Sequence, residues 1–147
     1  MIIPYLCVDR AAEAIEFYKR AFGFEEEHRM AMPGGKIGHA SLVLGGSKIF
    51  VSDEAPMSGI KSPKQLGGTT TSVHVDSPDV DAAYARAVAA GATALFPPTD
   101  MFWGDRFCKL LDPFGHQWSI ATHKEDLTPQ EMERRGEEAM KQYANKA

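Results

Sequence analysis

The sequence predicts an α+β fold of two βαβββ modules followed by a C-terminal helix. Three observations carry this expectation. The chain repeats itself, with YLCVDRAAEAIEFY from Tyr5 resembling SVHVDSPDVDAAY from Ser72. Each copy begins as a short alternating strand ending in Asp and continues as an amphipathic helix. After each helix come three further strand-like segments divided by turns rich in Gly and Pro.

Taken in order, the first module has its opening strand at Tyr5, its helix through Tyr18, and later strands at Glu25–Met30, Ile37–Leu44 and Lys48–Ser52. Pro33-Gly34-Gly35 and Gly45-Gly46 supply the turns. In the second module Thr93–Phe96, Arg106–Leu111 and Gln117–Thr122 take the same places, and Asp112-Pro113-Phe114-Gly115 closes the last hairpin. Val8-Asp9 laid on Val75-Asp76 gives an offset of 67, Phe22-Gly23 on Ala90-Gly91 gives 68, and Lys48–Ser52 on Gln117–Ala121 gives 69, a drift read as loop insertion. Residues 54–68 are rich in Pro, Gly, Ser and Lys and read as a linker. One domain is therefore expected over 1–124, with modules 1–53 and 69–124, and a helical tail over 125–147. The tail opens on Thr128-Pro129-Gln130-Glu131, a capping box with Pro at the first helical position. Its few apolar positions, Met132, Ala139, Met140 and Tyr143, fit either a solvated helix or a narrow contact with a neighbouring subunit.

The 147 residues are 44% apolar and 24% charged, the balance of an ordinary soluble domain. No apolar run reaches the roughly 18 residues of a membrane span, and Asp9 interrupts the apolar start where a signal peptide would continue. A cytoplasmic protein without membrane partners is expected. The net charge is −4 and the 16 basic residues are scattered, which argues against nucleic acid as a partner. Cys7 and Cys108 lie far apart without CxxC spacing, so two reduced, buried thiols are expected.

The order βαβββ twice, with FYKRAFGF after the first strand and DPFGHQWSIAT in the last hairpin, resembles the vicinal oxygen chelate superfamily of glyoxalases, extradiol dioxygenases and bleomycin resistance proteins. Pro4–Tyr18, Gly38-His39-Ala40, Ser52-Asp53-Glu54, Met101–Arg106 and the hairpin running into Glu125–Thr128 are similar to its PhnB-like branch. The resemblance implies that the strands of the two modules curl into an open, cup-shaped sheet around a small-molecule cleft, usually in a homodimer. In catalytic members it also implies a divalent metal held by His and Glu from the first and last strand of each module. It does not select a reaction.

Strand alternation assigns Leu6, Val8, Ile49, Val51, Val73, Val75, Trp118 and Ile120 to the core. Tyr5, Cys7, Phe50, Ser52, Ser72, His74, Ser119 and Ala121 then face the cleft. The resemblance puts the four metal-ligand positions on Ile3, Phe50, Thr70 and Ser119, none of which is a competent ligand, so neither metal nor other cofactor is expected. His74 is the ionisable residue on the cleft strands and stands as the catalytic candidate, either an acid or base or a hydrogen-bonded wall. His39 sits between small neighbours, while His28, His116 and His123 carry no such signal. In Pro97–Phe107, the bulky Met101, Phe102 and Trp103 either plug the cup or form a wall for a flat ligand. Asp105 and Arg106 either brace each other or clamp an anion. The preferred expectation is a metal-free small-molecule binder, with Tyr5, Phe50, Phe102 and Trp103 as apolar wall and Ser72, His74, Asp105, Arg106 and Ser119 as polar contacts. The rivals are an enzyme of lyase, isomerase or dioxygenase type, metal-dependent or using His74, and a resistance protein that sequesters a drug.

Overall fold

The computed structural model describes residues 1–146. Strand β1 (Tyr5–Val8) leads into α1 (Ala11–Phe22), then β2 (Glu25–Ala31), β3 (Ile37–Leu44) and β4 (Ser47–Asp53). After the short α2 (Pro63–Leu66), the pattern repeats as β5 (Ser72–Asp76), α3 (Val80–Ala90), β6 (Thr93–Asp100), β7 (Asp105–Leu111) and β8 (Gln117–His123), and α4 (Pro129–Ala144) ends the chain. The strands form two four-stranded sheets, ordered β1-β4-β3-β2 and β5-β8-β7-β6. In each, the opening strand pairs parallel with the last and the other pairings are antiparallel. These are the two βαβββ modules, and the sheet is not closed. Among the described residues no helix is long and apolar enough to cross a membrane.

Helix α1 buries Ala11, Ala14, Ile15, Phe17, Tyr18 and Ala21, an i, i+3, i+4 stripe that packs on its own sheet and on α3. It stops where Gly23 takes a left-handed conformation. At its start, the side chain of Asp53 at the end of β4 accepts from the N–H of Ala11 at 2.9 Å. Thr122 at the end of β8 does the same for Val80 of α3 at 2.8 Å. Ala11 and Val80, Asp53 and Thr122, and the paired positions Tyr5/Phe50 and His74/Ser119 all differ by 69 in number. The alignment of Val8-Asp9 on Val75-Asp76 is therefore a two-residue slip. The shared Val-Asp pair is a coincidence of composition, and the equivalent of Tyr5 is His74.

The core joins the modules. Tyr18 and Trp118 are fully buried, and Phe22 stacks on Trp118 with ring centroids 4.2 Å apart. The guanidinium of Arg86 on α3 donates to the carbonyls of Lys19 and Arg20, closing the C-terminal end of α1. Both cysteines are buried free thiols, as expected, and burial pushes each thiol pKa up.

Three segments differ from the sequence expectation. Strand β6 runs through Pro97 and Pro98 to Asp100, because it is an edge strand whose register breaks between Phe96 and Thr99, where missing N–H donors cost nothing. The connecting loop is thus only Met101–Gly104. The linker contains α2, capped by Ser62, and Ser62 donates both its N–H and its hydroxyl to Glu54. The capping box of α4 forms by half: Thr128 Oγ accepts from the N–H of Glu131 at 3.1 Å, but the Glu131 carboxylate pairs with Arg134 and Arg135 instead.

Candidate functional site

Each sheet packs one face on the helices; its other face is partly exposed, with Cys7, Ser41, Ser119 and Ala121 buried there. Of the expected core set, Leu6, Val8, Ile49, Val51, Trp118 and Ile120 are at most 5% exposed, while Val73 and Val75 are only partly buried against the core. On the outer face of module one, Tyr5 pairs with Phe50 and donates its hydroxyl hydrogen bond to, or accepts it from, Nδ1 of His39 at 2.9 Å. The three rings meet edge to face at 4.6 to 5.6 Å. Ser41 on the same strand gives its hydroxyl to Glu27, which also pairs with Lys48.

The outer face of module two is richer. His74 Nδ1 lies 2.7 Å from Ser119 Oγ, directly across the β5/β8 ladder, and its Nε2 lies 3.3 Å from Asp76 Oδ1. The His74 ring is nearly parallel to Phe107, at 6.3 Å. Phe107 meets Trp103 edge to face at 5.5 Å, and Trp103 meets Phe102 at 5.1 Å. A continuous aromatic row therefore runs from His74 through Phe107 and Trp103 to Phe102. The indole N–H of Trp103 donates to Asp105 at 3.1 Å, which sets the ring's orientation. The other oxygen of Asp105 meets His123 Nδ1 at 2.9 Å, and His123 Nε2 meets Asp126 at 2.7 Å. Held first by Asp105 and then by Asp126, the imidazolium of His123 is favoured and its pKa rises above the usual value. Phe102 in turn is covered by α4, where the absence of a side chain at Gly136 lets the ring approach.

Of the expected site residues, the structure brings His74, Ser119, Trp103, Phe102 and Asp105 onto one face. Tyr5 and Phe50 lie together on the face of the other module, and Ser72 is exposed one ladder step from His74. Arg106 is placed elsewhere. It alternates with the buried Cys108 and Leu110, so it points to the helix side, where it forks onto Asp81 of α3 at 2.7 and 3.0 Å and reaches Asp100 at 3.1 Å. It braces α3 rather than Asp105. Three residues missed by sequence reasoning, Phe107, Lys109 and His123, belong to this face. Lys109 shares the alternation of Asp105 and Phe107, and the apolar Cys108 and Leu110 on either side were the available signal. His123 had a signal too, since Asp126 follows three residues later. A groove of about 830 Å³ runs between the modules, walled by Phe22, Phe24, Ile49, Val73 and Ile120, and His74 and Asp76 also line it.

Residues 2–120 match the model of the Glyoxalase/Bleomycin resistance protein/Dioxygenase superfamily. The chain belongs to this superfamily. It is 42% identical over 133 residues to the uncharacterized protein Mb0911c of Mycobacterium bovis, with 88% of each chain covered. Among solved structures it is similar to TioX from Micromonospora sp. ML1, at 31% identity and TM-score 0.68, covering 83% of this chain and 97% of that one. The PhnB protein from Bacillus cereus shares the fold at TM-score 0.64 and 20% identity, covering 82% of this chain and 98% of that one.

The superfamily's divalent metal can be tested against the donors present. With the ladder register in hand, the symmetric positions on the opening and closing strands are Tyr5, Phe50, His74 and Ser119. They offer one imidazole, a phenol, a hydroxyl and a phenyl ring, against the three or so imidazole or carboxylate ligands such a metal requires. Among the described residues no group of three or more His, Cys, Asp or Glu is arranged to hold a metal ion. The donor set does not fit the metal.

Proposed function

We propose that this chain is a small-molecule-binding protein that works in the cytoplasm without a metal, holding a flat ligand against the outer face of module two. The observation that carries the reading is the continuous, partly exposed row of His74, Phe107, Trp103 and Phe102 on the outer sheet face. Aromatic rings fixed in orientation and still partly exposed supply apolar contact area at little conformational cost when a ligand arrives. Trp103 is fixed in this way by Asp105 rather than by burial. We also propose a homodimer. The sheets leave the edges of β1 and β5 unpaired and the Tyr5 side chain half exposed, and a second copy would cover both. The hydrogen bonds from His74 to Ser119 and Asp76 keep a second reading in view, an enzyme using His74 as acid or base.

Calorimetric titration with 2-naphthamide, a neutral flat probe, tests the binding reading. Trp103→Ala is expected to weaken binding about tenfold, the worth of one aromatic contact, with stability changed by about 1 kcal/mol or less. Binding is expected to survive exhaustive dialysis against a chelator. Light scattering should give twice the 16.1 kDa chain mass. Binding untouched by Trp103→Ala would move the ligand to the inter-module groove and overturn the reading, and turnover lost in His74→Ala would favour the enzyme.

A further inference from the structure

The ladders of module two place four side chains in one line across the sheet. His74 on β5 is opposite Ser119 on β8, Ser119 is opposite Lys109 on β7, and Lys109 is opposite Phe96 on β6. All four stand on the outer face: Trp118, Cys108 and Leu110 alternate into the core, Val73 packs against it, and Phe96 meets Phe107 at 6.4 Å. One ladder step along, Phe107 lies beside Lys109, and the aromatic row continues through Trp103.

The charges around this line are unequal. Asp105, on the same face of β7, has both oxygens engaged, one by the Trp103 indole and the other by His123, which Asp126 holds from its far side. Asp76 faces His74 Nε2. Arg106, on the opposite face of β7, is spent on Asp81 and Asp100. Lys109 has no carboxylate within 4.0 Å among the described residues. It therefore stands as an unpaired ammonium between Phe96 and a nearly buried hydroxyl. Ser119 retains hydrogen-bonding capacity beyond its bond to His74, since a hydroxyl has one donor and two acceptor sites.

We infer that the line His74, Ser119, Lys109 is an anchor for an anionic group, and that the ligand class of this face is a flat aromatic carboxylate. This rests on the binding reading above and adds the charge of the ligand to it. A carboxylate set on the line accepts from the Lys109 ammonium. When Nδ1 of His74 carries the proton and donates to Ser119 Oγ, the carboxylate also accepts from the Ser119 hydroxyl. The ring of the same ligand then extends over Phe107 toward Trp103, one ladder step away, as the spacing of a carboxylate on a naphthalene requires.

The test compares 2-naphthoate with 2-naphthamide, two probes of one shape that differ in charge, by calorimetry on the full chain and its variants. Naphthoate is expected to bind about tenfold more tightly than the amide, the scale of one charge-assisted contact. Lys109→Ala should abolish that preference, naphthoate losing about tenfold more affinity than the amide, and Lys109→Arg should restore most of it. Ser119→Ala should reduce the preference in part. Raised salt should weaken naphthoate and not the amide. Equal affinity of the two probes for the wild-type protein would overturn the anchor and leave the aromatic face standing. Equal loss of both probes in Lys109→Ala would also overturn it, because it would show a packing role for the lysine stem. Failure of both probes to bind at all would remove the binding reading itself.

Discussion

Asp112→Ala is expected to lower the free energy of unfolding by about 3 to 5 kcal/mol. The residue sits at the turn between β7 and β8 and is 2% exposed. Its Oδ2 accepts from the Tyr18 hydroxyl at 2.7 Å and the Trp118 indole at 2.9 Å, while Oδ1 accepts from the N–H groups of Phe114 and His116. Tyr18 belongs to α1 of the first module, so one carboxylate holds the hairpin in shape and ties the modules together. Alanine would leave the Tyr18 and Trp118 donors stranded in a core where both residues are fully buried. A buried donor without a partner costs its whole desolvation penalty, which exceeds the net gain of making the bond. Burial and then the Asp112 carboxylate hold the Tyr18 phenol well above its ordinary pKa, so it remains a donor throughout the working range. Urea unfolding of Asp112→Ala, Tyr18→Phe and the double variant checks this. Tyr18→Phe should cost about 1 kcal/mol, and the double variant should cost less than the two singles together, because one stranded donor has been removed. Fully additive losses would show that the hydroxyl and the carboxylate do not act on each other.

The sequence made the layers legible because alternation is a local property. Ile49, Val51, Trp118 and Ile120 are buried and Phe50 is partly exposed, as period-two reading requires, while Ser119 is buried too and its side is shown by its bond to His74. Reading Arg106 as a possible ligand clamp set its chemistry above its parity with Cys108 and Leu110, and the fold gave precedence to parity. Which side chains meet across strands is not local. The meeting of Lys109 with Ser119 and His74 depends on the registers of two ladders, and the meeting of Tyr18 with Asp112 spans both modules. The two-residue slip in the first strand shows the same limit. A shared Val-Asp outweighed the cap positions Asp53 and Thr122, whose roles emerge only when β4 and β8 deliver them to the helix starts. The loop prolines point the same way, since Pro97 and Pro98 belong to a strand only because β6 lies at an edge.

Gly104→Ala is expected to cost about 3 kcal/mol or more, from two sources that a control can separate. Gly104 has φ +99°, where an L side chain pays about 1 to 2 kcal/mol in backbone strain. A Cβ there would also stand 2.4 Å from the carbonyl oxygen of Glu125. That oxygen is backbone and cannot swing aside as a side chain would. Retreat is opposed, because the Gly104 carbonyl accepts from the N–H groups of Lys124 and Glu125 at 2.9 and 3.0 Å and so pins the aromatic loop to the approach of α4. Gly45 is the control: its φ is +56° and no atom lies within 4 Å of an added Cβ. Gly45→Ala should therefore pay the backbone cost alone, about 1 kcal/mol. The excess loss at Gly104 should come with local changes that Gly45→Ala lacks, namely a red-shifted Trp103 emission and faster proteolysis between His123 and Thr128, as the loop and the α4 approach part. Because Trp103 and Asp105 flank Gly104, the variant should also weaken 2-naphthamide at temperatures where the fold is intact. Equal destabilisation by the two substitutions would mean that the loop and the α4 approach separate at no cost, and that the orientation of Trp103 does not depend on their contact.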